Sequence, residues 1–582
     1  MNVLGLNAYH GDASATLLSA RGIECAIEEE RFSRLKHQAG FPALAAFESL
    51  KYAGLEPRDL THLAISRDPS AHIHRKLMFA LSQGPRFSLI RDRLANVSRV
   101  RDPKPALADA LGVCESALPA TMHRVEHHQA HMASSFFVSP FDQAALLSID
   151  GFGDFVSTMW GVGRGNKMQI EDWVEFPHSM GILYTAITQY LGFPKYGDEF
   201  KVMGLAPLGE PEYLDRLRPL VKRKGMGFAL DLAYFIHHSE GVNMTWEAGS
   251  PTLGPVFSAE LETLLGPKRQ HGEPLDARHR NIAASLQALL EEVVLELLRN
   301  LADKTGMKTL CMAGGVALNC TLNGKITRET PFEQIYIQPA AYDAGTSLGA
   351  ALYVRHRVLD QPRDVVMDHV YWGLEYSPVE CRIALEKSGL EFRELLDPDE
   401  LALETAKLLA QGHILGWFQG RFEWGPRALG NRSINGDPRN PRMKDILNDR
   451  IKHRESFRPF APSVTAESAS EYFELDQPSP FMLITCQVRQ DKREVIPAVT
   501  HADGSARVQT VTRDANPRYW ALLKAFERVT GVPVLLNTSF NENEPIVNTP
   551  EQAVSCFLRN DMDMLALGPY LVVRRPGAVA HA

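Results

Sequence analysis

Asn2-Val3-Leu4-Gly5-Leu6-Asn7-Ala8-Tyr9-His10-Gly11-Asp12-Ala13-Ser14-Ala15-Thr16-Leu17-Leu18 opens the chain. Two apolar runs, 2–8 and 13–18, flank a His10-Gly11-Asp12 turn, which reads as two buried strands joined tightly. Ala20-Arg21-Gly22 turns the chain into a third strand, 23–29, and 42–53 has helical periodicity. The same order returns further along. Residues 144–149 are a buried-strand run, Asp150-Gly151-Phe152-Gly153-Asp154 a turn, 155–162 and 168–173 two more strands, and 180–191 a helix. Strand, Asp/Gly turn, strand, strand, helix thus occurs twice. The pattern reads as two related halves facing a cleft, against the plainer alternative of two ordinary hairpins.

Outward from this repeat the pattern stays α/β. Residues 281–301 form a strong amphipathic helix; 309–312 is a strand running into Ala313-Gly314-Gly315, with a helix expected over 316–323. Residues 332–337 and 344–354 read as another strand and helix. A linker is expected over 359–369 (LDQPRDVVMDH), dividing a domain over 1–358 from one over 370–582. The second domain has strands at 414–418, 532–536 and 564–567 and a helix at 441–451.

The composition is that of a globular protein, with 582 residues, 45% of them hydrophobic and 23% charged, so disordered, collagenous and coiled-coil chains are excluded. Sixty-two Lys and Arg against 70 Asp and Glu leave a net charge of −8, which argues against nucleic-acid coating. Seven cysteines without CxxC spacing suit a reducing compartment. The N-terminus lacks a basic n-region and no apolar run is long enough to span a bilayer. A soluble cytoplasmic protein is expected, with no membrane partner. Residues 67–104 carry nine cations, Arg67, Arg75, Lys76, Arg86, Arg91, Arg93, Arg99, Arg101 and Lys104, with Phe79 and Phe87 between them. They read as a solvated helical face or as an insert near an anionic ligand.

Several groups carry chemistry. His127 and His131 are four apart, so one helix face presents both imidazoles. With Asp150 at a strand end and Asp343 at a helix start, they form a candidate site for divalent iron, zinc or manganese; two polar histidines on a helix are the plain alternative. Asp12 and Asp150 are read as occupying matching turns. Gly314, Gly315 and Asn319 make a glycine turn suited to a nucleotide or to structure alone, and Lys201 lies in a Gly- and Pro-containing loop of ligand-binding composition. Three arginines in GRFEWGPRALGNRS (420–433) and three cations in KHRESFR (452–458) suggest a small phosphorylated ligand, with Arg507 and Ser539 joining them.

The motifs HGDASATLL, EEERFSRLKH, HHQAHMASSFF, GDEFKVMGLAP, AGGVALNC, PAAYDAGTSLGAA, GRFEWGPRALGNRSI, IKHRESFRPFAPSV and LLNTSFNENEPIV run in order from about residue 2 to 574. As a set they resemble the O-carbamoyltransferases of nodulation-factor and antibiotic biosynthesis. The resemblance implies a duplicated N-terminal domain of the actin/sugar-kinase class and a YrdC-like C-terminal α/β domain. It implies that carbamoyl phosphate and ATP, with Mg2+, meet at Arg427, Lys452, Arg458, Arg507 and Ser539 and form carbamoyl-adenylate. The carbamoyl group then passes to a hydroxyl of a small-molecule acceptor at the N-terminal site. There a metal, usually iron (Fe2+) in the family, would be held by His127, His131, Asp150 and Asp343. His10, Asp12 and Lys36 lie in motifs near that site: His10 or Asp12 would help deprotonate the acceptor, and Lys36 would contact a phosphate. Gly314, Gly315, Asn319 and Lys201 would border the nucleotide. His128 is expected to support the metal ligands from behind or to be structural, and a homodimer is expected by analogy alone. The competing reading is an ATP-dependent small-molecule kinase of the actin-like class, which would leave the C-terminal cations unexplained. A tRNA-modifying enzyme is disfavoured by the net charge.

Overall fold

The computed structural model describes residues 1–83, 102–242, 244–247, 250–270 and 272–574. Arg86, Phe87, Arg91, Arg93, Arg99 and Arg101 of the basic stretch lie outside them. The chain divides into two compact units, Met1–Met367 and Asp368–Ala582.

The first unit contains two five-stranded sheets of identical order. Strands β1 (Val3–Asn7), β2 (Ser14–Ser19) and β3 (Gly22–Glu28) form an antiparallel meander, and β4 (His62–Ile65) and β5 (Thr121–Arg124) add in parallel beside β1, giving β3-β2-β1-β4-β5. In the second sheet β6 (Gln143–Gly153), β7 (Val156–Arg164) and β8 (Lys167–Glu175) form the meander, and β9 (Thr309–Ala313) and β10 (Gln334–Ile337) the parallel pair, giving β8-β7-β6-β9-β10. The repeat read from the sequence is therefore a duplication of whole sheets. β1 and β2 are apolar and buried on both faces, as strands sandwiched between layers must be.

Each fifth strand leads into a helix, His127–Phe136 after β5 and Gly345–Leu352 after β10. These two equivalent helices pack against each other. A Cβ on Gly349 would meet the Ala130 carbonyl oxygen at 1.8 Å, so only glycine permits that approach. The crossing brings the histidine helix beside the chain that precedes the Asp343 helix.

Some boundaries move for local reasons. The helix expected over 316–323 begins at Cys320, because Asn319 caps it by accepting the Leu322 N–H at 2.9 Å. The turn expected at 150–154 is displaced. β6 continues irregularly past Ile149 to Gly153, and the reversal falls at Asp154 and Phe155, both left-handed. The residue matching Asp12 (φ +57) is thus Asp154 (φ +47), each two residues before its second strand. Asp150 sits in the irregular segment, where its side chain leaves the ladder. The segment 359–367 is fastened to the first unit: the Arg363 guanidinium donates to the carbonyls of Phe136, Ser139 and Phe141, and the Met367 N–H donates to Val138.

The second unit is a mixed eight-stranded sheet. Its strands are β11 (Arg393–Glu394), β12 (Leu415–Phe418), β13 (Arg432–Gly436), β14 (Ala461–Thr465), β15 (Gln509–Val511), β16 (Val534–Ser539), β17 (Met564–Leu567) and β18 (Tyr570–Val573). Their order is β11-β18-β17-β12-β13-β16-β14-β15. Helices including Pro398–Ala410 and Pro517–Thr530 bury their apolar faces in its core, around Trp417, Phe526 and Leu535. Among the described residues no helix is long and apolar enough to cross a membrane, and the seven cysteines form no disulfide with one another.

Candidate active site

The first unit's site lies where the duplicated elements meet. The side chains of His127 and His131 are fully buried on consecutive turns of one helix. Their Nε2 atoms are 3.1 Å apart, and Asp150 Oδ2 stands 3.3 and 3.2 Å from them. Asp343 Oδ1 is 3.4 Å from both. Two neutral imidazoles cannot both donate along one N···N line, whereas a shared cation satisfies all four atoms at once. Edges of this size enclose a centre about 2 Å from each atom, the usual distance of N and O ligands to a divalent transition metal. The residues present therefore fit a metal ion.

Electrostatics point the same way. Burial disfavours charge on His127, yet the Asp343 and Asp150 carboxylates raise it to about 10. Burial likewise opposes ionisation of Asp343, and the charges of His10 and His127 hold it well below the usual carboxylate range. Positive charge is demanded at the centre.

Surrounding groups fix these four side chains. Asp150 Oδ1 accepts the Gly315 N–H at 2.9 Å. Asp154 Oδ2 accepts the N–H of His127 at 3.1 Å and of Asp68 at 2.7 Å, pinning the start of the histidine helix. A Cβ on Gly153 would fall 1.9 Å from the His127 ring, so glycine is required there. His128 faces away. Its Nε2 donates to the Val156 carbonyl at 2.9 Å and its Nδ1 accepts from the Ser148 hydroxyl at 2.8 Å, so it is neutral and structural.

His10, on the β1–β2 turn, pairs through Nδ1 with Asp343 Oδ2, so Asp343 bridges the ligand cluster and His10. The His10 side chain keeps 29% of its surface exposed. Asp12 is turned elsewhere: its Oδ1 meets His37 Nδ1 at 2.7 Å and its Oδ2 faces the Tyr196 hydroxyl at 3.4 Å. Burial pushes His37 down, but Asp12 and Glu30 outweigh it and raise it to about 9. Lys36 is half-buried beside Glu30. Lys201 pairs with Asp198 at 2.9 Å. Gly314 lies against the Ile149 carbonyl, where a Cβ would come within 2.2 Å. Asn319, besides its cap, donates to Gln287 at 2.9 Å. These last two residues shape the turn, and their own polar groups are engaged within the protein.

In the second unit the cations divide into two kinds. Arg421 donates to the Gly373 and Trp372 carbonyls. Arg432 is fully buried, stacks 3.6 Å over the Phe418 ring and donates to the carbonyls of Gln419, Gly420 and Asn431. Lys452 is also buried and spends its ammonium protons on Ser539 O (2.6 Å), Asn541 O (2.6 Å) and Asn541 Oδ1 (2.8 Å). These three hold loops in place. Arg427, Arg458 and Arg507 are half-buried. The backbone around them is tied together. The carbonyl of Ala428 accepts from Asn537, two residues before Ser539, and that of Leu429 accepts from Gln509, two residues after Arg507. Glu423 Oε1 shapes the loop by accepting three N–H groups, from Leu429, Asn431 and Arg432.

Sequence reasoning missed Asp154, His37 and Tyr196 as site residues. Aligning the two halves on their second strands would have found Asp154. His37 follows Lys36 in a motif already singled out. Nothing in the sequence marks Tyr196.

The comparisons with known proteins cover both units. The family description "Carbamoyltransferase N-terminus" matches residues 2–352 and "Carbamoyltransferase C-terminus" matches 406–574. Uncharacterized protein sll1178 of Synechocystis is 42% identical over 98% of this chain and 97% of its own length. Nodulation protein NolNO of Sinorhizobium fredii is 38% identical over 98% of this chain and 80% of its own. Nodulation protein NolO of Bradyrhizobium diazoefficiens is 42% identical over 78% and 80%. With family matches to both units and relatives of this coverage, the chain belongs to the carbamoyltransferase family and is a carbamoyltransferase.

Proposed function

We propose that this carbamoyltransferase is ATP-dependent and works in two half-reactions. At the cations of the second unit, carbamoyl phosphate is hydrolysed to carbamate and phosphate. A carbamate oxygen attacks the α-phosphorus of ATP, bound with Mg2+, and pyrophosphate leaves. Arg427, Arg458 and Arg507, with Ser539, neutralise the phosphates and the developing charge; Lys452 holds the Ser539–Asn541 loop that completes the site. At the first unit, an acceptor hydroxyl attacks the carbamoyl carbon of the adenylate, the carbon–oxygen bond to AMP breaks, and AMP leaves.

The observation that carries the second half-reaction is the convergence of His127, His131, Asp150 and Asp343 beside His10. A divalent ion held by those four residues, Fe2+ in our reading, would supply Lewis-acid polarisation of the carbamoyl oxygen. His10 takes the hydroxyl proton on Nε2, because Asp343 engages its Nδ1 and fixes the ring. Asp12, already paired with His37, holds the wall of the site, and Lys36 meets the phosphate of the adenylate. The nucleotide borders the Gly314-Gly315 turn, and Lys201 and Asn319 support that wall. The two matching sheets support an actin-like ancestry for the first unit, and the mixed sheet with its cation loops supports a YrdC-like second unit. The acceptor is a hydroxyl-bearing small molecule or natural product, and the reaction is cytoplasmic.

The test is pyrophosphate release from ATP by the iron-loaded protein without acceptor. Release that requires carbamoyl phosphate supports this reading. ADP release indifferent to carbamoyl phosphate contradicts it and favours the kinase.

A further inference from the structure

Phenylalanines gather beside the histidine–carboxylate cluster of the first unit. Phe152 follows Asp150 by two residues, so its Cα lies within about 8 Å of that of Asp150. Phe155 adjoins Asp154, which holds the His127 N–H. Phe176 lies just before Ser179, whose hydroxyl donates to the Asp150 carbonyl at 3.0 Å. The Phe176 ring stands 4.9 Å from that of Phe152 and 5.7 Å from that of Phe155. Phe79, on the helix Ile73–Gln83, meets Phe176 edge-on at 5.0 Å and Phe155 at 5.8 Å. The chain leading to that helix crosses the site. The Arg67 guanidinium donates to the Tyr9 carbonyl, next to His10, at 3.1 Å, and the Asp68 N–H donates to Asp154 at 2.7 Å. One strap therefore touches the His10 turn and the root of the histidine helix, and ends on the aromatic rings. Phe136 and Phe137, on the same histidine helix and its cap, are buried, as core rings are. Phe79, Phe152, Phe155 and Phe176 are only half-buried. Charges around these rings are matched within the protein. Arg75 lies 3.7 Å from Glu175, and the Lys76 ammonium donates to the Pro69 carbonyl at 3.1 Å. His237, whose ring stacks 5.8 Å from Phe152, donates through Nε2 to the Pro177 carbonyl at 2.8 Å. The wall offers ring faces rather than charge.

We propose that Phe79, Phe152, Phe155 and Phe176 form the acceptor wall of this carbamoyltransferase, and that the acceptor is an uncharged compound that lays a ring face against it. Its hydroxyl is thereby directed toward His10. Stacking on phenylalanine selects the ring and leaves the transfer chemistry to the neighbouring polar groups. The four residues are specificity determinants and move no proton. The ring is an aromatic one or the C–H face of a sugar; both give the wall the same kind of contact, and the probes below separate them. The proposal rests on the reading of the first unit as the transfer site, and it would survive failure of the adenylate chemistry.

The test uses the full chain, loaded with metal, and three probes built on one hexose: methyl β-glucoside, phenyl β-glucoside and the ammonium-bearing glucosamine. Each is titrated by saturation-transfer NMR into wild type, F155L, F176L and F47L. Leucine keeps apolar bulk and removes the ring face. F47L is the control, because the Phe47 ring packs under Lys51 on another helix. Melting curves establish that each variant is folded, and F79L replaces either wall variant that does not melt cooperatively. Wild type is expected to bind phenyl β-glucoside, F155L and F176L to weaken it by about threefold to tenfold, and F47L to match wild type. Glucosamine should bind no tighter than methyl β-glucoside. A loss confined to the phenyl probe assigns the wall to an aromatic ring; an equal loss of both glucosides assigns it to a sugar face. Folded wall variants that bind as wild type does, or a wild type that binds neither glucoside, overturn the proposal. So does a preference for glucosamine, or a loss that F47L shares. Absence of carbamoyl phosphate-dependent pyrophosphate release, with this pattern of glucoside binding intact, would instead count against the two-step chemistry alone.

Discussion

In the first unit two imidazoles and two carboxylates meet at 3.1–3.4 Å, so opposite charges surround one point. In the second unit Arg454 faces Arg458 and Arg507, so like charges gather with Glu455 as the acid that acts on them. The first arrangement gathers donor types that fit a cation; the second gathers like charges. The contrast teaches that a site is defined by which charges the fold brings together. Counting cations or acids in a motif does not reveal that, because the same residue types serve as scaffold a few positions away.

The largest expected effect breaks the first region alone. Asp343→Asn removes one ligand charge and the partner of His10. Metal content measured by atomic emission should fall with roughly 100-fold weaker affinity, and carbamoyl transfer should fall with it. Retained metal at full occupancy would show that Asp343 is no ligand. His10→Asn should lower transfer by about 100-fold while leaving metal content and pyrophosphate release at wild-type levels, as followed by product mass spectrometry and a coupled phosphate assay. In the second region Arg507→Gln should cut carbamoyl phosphate-dependent pyrophosphate release by about tenfold or more and spare metal binding.

How far each region could be read from sequence follows from the same contrast. The four candidate ligands come together because local rules place them: helix spacing aligns His127 with His131, and a strand end and a helix start deliver Asp150 and Asp343. The duplication was legible in the Asn2–Leu18 pattern, because alternation of apolar runs and turns is local too. Which Asp matches Asp12 is legible by counting back from each second strand but not from the turn motif, since the irregular stretch of β6 shifts the turn to Asp154. In GRFEWGPRALGNR the three arginines look alike in sequence. Only the loop's folded path sends Arg421 and Arg432 to backbone carbonyls. Lys452 shows the same limit: its motif marks it as a ligand, and its three acceptors lie in the Ser539–Asn541 loop, far along the chain.

Two smaller effects sharpen the comparison. Lys452→Met leaves the Ser539 and Asn541 carbonyls without their donor, so urea unfolding should show a loss of about 2–3 kcal/mol. An unchanged midpoint would return Lys452 to the ligands. The Asp12–His37 pair should give a pH signature. His37 is raised from 6.5 to about 9 in the folded chain, so its contribution is fully present below pH 6.5 and is lost as pH rises through about 9. Stability should fall by on the order of 1–3 kcal/mol across that window, and His37→Gln should flatten the slope. A slope equal to that of wild type would show that the pair does not persist in solution.

The division of labour between the two regions is tested most directly by exchange of labelled pyrophosphate into ATP, with carbamoyl phosphate present, in Asp343→Asn and wild-type protein. The account predicts exchange at near wild-type rate in the variant, with carbamoyl transfer abolished. Exchange lost in proportion to transfer, or exchange that proceeds without carbamoyl phosphate, would contradict it.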